Sequence, residues 1–144
     1  TTTPPEVKKA IEEADAVIVG PGDLYTTLLP LLLVKDIQKS LLKTRAKTFF
    51  MINIANKPFE TKGFVLSDFI VTIDAHLGIF PFDVVLANNN KSIKIPKKYR
   101  YKYIEIDKKL GKQKFKLIEK DILNVDFPLY HDSEKLAKTI IDSL

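Results

Sequence analysis

The sequence contains no cysteine. That excludes a disulfide framework and any thiolate metal site, and it suits a reducing cytoplasm. Histidine is nearly as scarce, with His76 and His131 far apart in the chain, which argues against a zinc centre. No stretch approaches the roughly eighteen uninterrupted apolar residues that a membrane span needs. Residues 28 to 34 come nearest, and Pro30 and Lys35 keep that run short. The opening "TTTPPEVKK" lacks the apolar stretch of a secretory signal. Catalytic signatures are missing too: there is no Ser-His-Asp order, no P-loop and no G-x-G-x-x-G. The expectation is a soluble, cytoplasmic protein with no membrane partner.

What is present is an ordinary globular composition. The chain has 144 residues, 45% apolar and 28% charged, enough to bury a core, and residues 1–144 read as one α/β domain. The net charge is +5, and most of the surplus lies in "KSIKIPKKYRYKYIEIDKKLGKQKFK", residues 91 to 116. Tyr99, Tyr101 and Tyr103 are interleaved there. Basic residues mixed with aromatics suit nucleic acid. The alternation in "YRYKYIEI" equally suits a strand with one buried and one solvated face. The second reading is preferred, because charge alone reports only non-specific attraction.

Along the chain, Val7, Ala10, Ile11 and Ala14 recur at helical spacing behind Pro4 and Pro5. "AVIVG" (16 to 20) reads as a strand covered on both faces. Residues 24 to 33 read as a buried helix kinked or restarted at Pro30. Asp36 is placed as the cap of a following helix. "KTFFMINI" (47 to 54) and "FDVVLAN" (82 to 88) read as further buried strands, and "ANKPFETKGF" between them as a loop. A helix beginning near Ser67 or Asp68 closes at Gly78. "KYIEI" and "KFKLIEK" are two more strand candidates. The tail is a helix capped by Asp132, with Leu136, Ile140, Ile141 and Leu144 inward. Alternating helices and strands predict a doubly wound α/β fold with a mainly parallel sheet, whose ligands lie beyond the carboxyl ends of the strands. Loops 20 to 27, 53 to 64 and 88 to 92 fall on that edge.

The corner "GPGDLYTT" offers backbone N–H groups at a helix start and three hydroxyls, a cradle for phosphate. Gly and Thr also occur at such corners for geometry alone. Asp23 either caps the helix itself or helps hold a hydrated metal. Asn53, Asn56, Glu60 and Thr61 come from the second loop and either contact a sugar or base edge or close the loop's own backbone. His76 reads as a residue favoured at a helix C-terminus rather than a base. No set of residues completes a catalytic constellation, so no catalytic or metal-ligating residue is assigned.

The stretch "ADAVIVGPGDLYTTLLPLLLVKDIQKSL" resembles the YvcK-type gluconeogenesis factors, relatives of the 2-phospho-L-lactate transferases. The likeness continues through "NIANKPFETKGFVLSDF", "DAHLG", "DVVLANN" and "HDSEKLAKTIIDSL". It implies a Rossmann-like three-layer α/β/α fold and a cytoplasmic protein that binds a nucleotide or nucleotide sugar, UDP-sugars in this branch. It further implies regulation linked to central carbon metabolism and cell-envelope morphogenesis. The related transferases imply a rival, magnesium-dependent phospholactyl transfer, with Mg2+ accompanying a nucleotide. Gly20, Pro21, Gly22, Leu24, Tyr25, Thr26, Asn53, Glu60 and Thr61 match the family pattern. By that resemblance the ligand contacts are these residues with Asp23, Thr27 and Asn56. Asp23 stands in place of a small hydroxyl residue, Thr27 of serine, Lys57 of glutamine, Lys62 of an acidic residue and Phe69 of histidine. The glycine-rich turn and Asp-Asp-Gly segment with which the family begins are not in this sequence. The chain therefore resembles the C-terminal half, with that missing N-terminal half or a second copy as the implied partner.

Overall fold

The computed structural model describes residues 2–107, 109–110 and 114–144. Chain order is α1 (Pro5–Glu13), β1 (Ala16–Val19), a π-helical turn (Leu24–Leu28), α2 (Leu29–Leu32), α3 (Lys35–Lys43), β2 (Lys47–Met51) and β3 (Ala55–Asn56). It continues through α4 (Leu66–Leu77), β4 (Val84–Asn88), a 3-10 turn (Lys97–Tyr99), β5 (Lys102–Tyr103), β6 (Lys116–Lys120) and α5 (Ser133–Ile141). Four strands form one sheet in the order β1-β2-β4-β6, and every neighbouring pair is parallel. The fold is the expected α/β/α sandwich.

The pleat explains the layers. Successive side chains of a strand point to opposite faces, so Phe50 and Val85 join Leu28, Leu32, Leu41, Ile70 and Ile73 in one core beneath α1 to α4. Phe49, Met51, Val84 and Leu86 form the opposite face, against Leu136 and Ile140 of α5. The central strands β2 and β4 are buried on both sides, which is why they read as unbroken apolar runs. Strand β1 is not. It is the sheet's edge, and Ile18 is 44% exposed. The apolar run "AVIVG" therefore corresponds to one covered face and one open one.

Other readings need correction. Residues 24 to 33 do not form one α-helix: the first turn is wide, with Leu28 N–H and Leu29 N–H bonded to Asp23 O and Leu24 O, five residues back. Pro30, which has no N–H to give, then sits in the first turn of α2, where that donor is not missed. Asp36 does not cap α3. It lies within the first turn and accepts from Thr3 N at 3.3 Å. "KYIEI" contributes two residues to a separate antiparallel ladder, Ala55 opposite Tyr103 and Asn56 opposite Lys102, so the supposed loop 55–64 begins with a strand. Tyr99 and Arg100 precede it in a tight turn, with Arg100 at φ 59. Residues 108 and 111–113 of the lysine-rich segment lie outside the described residues. In α5, Asp132 caps as expected, accepting from Glu134 N and Lys135 N. Ile140 packs on the sheet, while Ile141, next to it on the helix, and Leu144 face solvent instead. Among the described residues no helix is long and apolar enough to cross a membrane.

Candidate functional site at the carboxyl edge of the sheet

Strand β1 leaves the sheet through Gly20, whose φ is +98. A Cβ built there would stand 2.7 Å from the Met51 carbonyl oxygen, so only glycine fits. This seats the corner directly on the end of β2. The next contact is reciprocal. Gly22 N donates to Asn53 Oδ1 and Asn53 Nδ2 donates to Gly22 O, each at 3.0 Å. A primary amide at the end of β2 thus copies a strand partner and holds the Gly-Pro-Gly corner at fixed distance.

Asp23 occupies the helix-entry position but its carboxylate caps nothing. It pairs with Lys57 Nζ at 2.5 Å. The hydrogen bond to Asp23 holds the Lys57 ammonium above its ordinary range, against the desolvation that would lower it, and the charge of Glu60 acts in the same direction. The cap is Glu60 itself. Its Oε1 accepts from Tyr25 N and Thr26 N, each at 3.0 Å, and from Thr26 Oγ1 at 3.2 Å. Three donors converge on one carboxylate oxygen 34 or 35 residues away in sequence. Tyr25 packs edge-on against Phe64 and His76, with ring centroids 6.3 and 6.5 Å apart.

Gly20, Pro21, Gly22, Asp23 and Asn53 come together at the corner as the sequence suggests, and Tyr25, Thr26, Thr27 and Glu60 gather on its outer side. Three candidates do not join them. The Leu24 side chain is sunk in the core, and Asn56 and Thr61 are buried behind the loop. Asn53 and Glu60, assigned to a sugar or base, here bond the corner's own backbone.

Beside Gly22 and Asn53 opens a cleft of about 220 Å³, also lined by Lys57, Tyr101, Tyr130 and His131. The last two arrive on the loop after β6, a fourth strand-end loop that the sequence reading passed over. The available signal was position: "LYHD" lies between the last strand and the cap of α5, where a doubly wound sheet presents ligands. His131 Nε2 lies 3.1 Å from Ile52 O. A carbonyl only accepts, so Nε2 carries the proton.

Desolvation holds the His131 imidazole below its ordinary range. The unfolded chain therefore takes up this proton first as pH falls from about 6.5, so the stabilisation present above that pH is lost toward the lower folded value. Wild-type thermal midpoints are expected to fall between pH 7 and pH 5, with a slope of at most about 1.4 kcal/mol per pH unit. His131→Asn, which keeps a donor for Ile52 O, flattens that slope in a pH series of melts. Asp107 is held low by hydrogen bonds from Ser67, against desolvation, and Asp121 by its hydrogen bond from Lys135. Both titrate below this window.

Among the described residues no group of three or more acidic or histidine side chains is arranged to hold a metal ion. Asp23 is paired with Lys57 and Glu60 is bound to the corner.

Comparison with known proteins fits this architecture. The family described as 2-phospho-L-lactate transferase CofD matches residues 1–123. The chain belongs to the CofD family. A gluconeogenesis-factor relative from Clostridium acetobutylicum is 41% identical over 145 residues, 96% of this chain and 32% of that protein. The protein named gluconeogenesis factor in Bacillus subtilis is 31% identical over 149 residues, 97% of this chain and 46% of its own length. The chain thus spans 32% to 46% of the length of these relatives. A Bacillus halodurans crystal structure, from a protein of the UPF0052 family, superposes with a TM-score of 0.84 at 27% identity, over 95% of this chain and 46% of that one.

Proposed function

We propose that this edge binds a nucleotide or nucleotide sugar through its diphosphate, and that it acts by binding and regulation rather than turnover. The observation behind the reading is the seat taken by Glu60: two amides and a hydroxyl converge on a single anionic oxygen. A diphosphate oxygen satisfies the same donors. Lys57 lies between that seat and the cleft, and Tyr101 and Tyr130 offer ring faces for a base. At about 220 Å³ the cleft is smaller than pockets that enclose a small molecule, so it grips one part of the ligand.

The transferase chemistry carried in the family's name requires an acid, base or metal near the transferred group. Here Asp23, Glu60 and His131 are each engaged by other groups. Turnover with magnesium and a nucleoside-diphosphate-linked donor would reverse this preference. The direct test is a thermal-shift panel of UDP-sugars, GDP and NAD, with and without magnesium. A ligand at a hundred times its dissociation constant stabilises the native state by about 2.7 kcal/mol, or roughly 5 °C or more for a chain of this size. A UDP-sugar is expected to give that shift. No shift from any nucleotide would overturn the reading.

A further inference from the structure

The β3–β5 ladder and loop 55–64 build a second pocket, which shares Lys57 with the corner cleft. Its volume is about 330 Å³, and its walls carry four cations: Lys57, Lys62, Arg100 and Lys102. Among the described residues no carboxylate lines it. Lys57 is shared with Asp23, whereas among the described residues Lys62, Arg100 and Lys102 have no acidic partner. Like charges gathered round one cavity repel each other, and a bound anion relieves that repulsion.

The backbone sets up this convergence. Asn56 pairs opposite Lys102 in the ladder, which fixes the floor against one wall. Arg100 reaches the other wall from a left-handed backbone position, φ 59, that a non-glycine residue seldom takes. One further feature narrows the ligand. Phe59, which also lines the pocket, is 92% exposed, leaving an uncovered aromatic face. A bare phosphate would answer the cations but not the ring. A ligand with a phosphate and a flat ring answers both.

We propose that this pocket binds a nucleoside monophosphate, its phosphate among Lys62, Arg100 and Lys102 and its base stacked on Phe59. The site is separate from the diphosphate seat at the corner and does not rest on it. It adjoins that seat through Lys57, so occupancy here bears on the Asp23–Lys57 pair.

Isothermal titration of the chain with UMP, AMP, uridine and inorganic phosphate tests this. Saturable binding of a monophosphate is expected at a dissociation constant below about 1 mM, with uridine at least tenfold weaker. Lys62→Glu, on an exposed side chain, weakens UMP at least tenfold. Phe59→Ala weakens UMP severalfold while leaving inorganic phosphate unchanged. Arg100→Asn suits the left-handed backbone, so it keeps the thermal midpoint while losing affinity. His131→Asn, at the corner cleft, leaves UMP binding intact, which separates this pocket from the first. Equal binding of uridine and UMP, or undiminished UMP binding by Lys62→Glu, overturns the proposal. So does a single-stranded oligonucleotide that binds with steep salt dependence and that UMP does not displace, since the cations would then be a non-specific nucleic-acid surface.

Discussion

Glu60→Gln is expected to tighten a diphosphate ligand about tenfold while destabilising the ligand-free protein by about 1 kcal/mol. The carboxylate Oε1 already fills the place that an incoming phosphate oxygen would take, bound by Tyr25 N, Thr26 N and Thr26 Oγ1. An entering ligand must displace it and then tolerate its charge nearby. The amide keeps the shape and one acceptor but drops the charge, so it holds the three donors less strongly and repels the ligand less. Charged hydrogen bonds are roughly twice as strong as neutral ones. The site is partly open to solvent, which reduces the effect toward the lower end of that range. Titration of a UDP-sugar against both proteins, beside their melting curves, measures both quantities. Weaker binding by Glu60→Gln would instead mean that Glu60 touches the ligand. Unchanged binding would mean that no phosphate enters those amides.

Which features could be read from the chain follows from how far apart their parts lie. The sheet was legible because Phe49-Phe50-Met51 and Val84-Val85-Leu86 are continuous apolar runs, and burial on both faces leaves no other pattern. Gly78 and Asp132 were legible because a helix end is a local problem solved by local residues. Asp23 departs from its local pattern because its partner is distant. Its position predicts a cap, but a lysine thirty-four residues away takes its charge, and Glu60, from the same distant loop, takes the amides. No spacing rule connects residues 25 and 60. The β3–β5 ladder has two residues per strand, too short for alternation to register, so the second pocket was equally hidden. His131 carries no local signal, because its value lies in standing beside Gly22 and Asn53 after the chain has folded.

The geometry of the corner cleft depends on the corner being seated on β2, and Gly20→Ala is expected to undo that at a cost above about 3 kcal/mol. Two penalties coincide at this residue. The backbone sits at φ +98, and the added methyl carbon would lie 2.7 Å from the Met51 carbonyl oxygen. A carbonyl within the β2 backbone cannot swing aside as a flexible side chain would. Relief therefore requires β1 and β2 to separate at Val19 and Phe50, their last paired residues. Gly78→Ala is the control. Its φ of +75 imposes the backbone penalty alone, since among the described residues nothing lies within 4 Å of the added carbon, and about 1–2 kcal/mol is expected. Urea denaturation of the two variants isolates the steric share, because both exchange the same atoms. At temperatures where Gly20→Ala remains folded, the shift at β2 pulls Asn53 from Gly22, and nucleotide affinity falls beyond what stability explains. Equal losses for the two alanines would mean that Met51 O does not pin the corner, and the amides at Tyr25 and Thr26 would then have no fixed place at which to meet an anion.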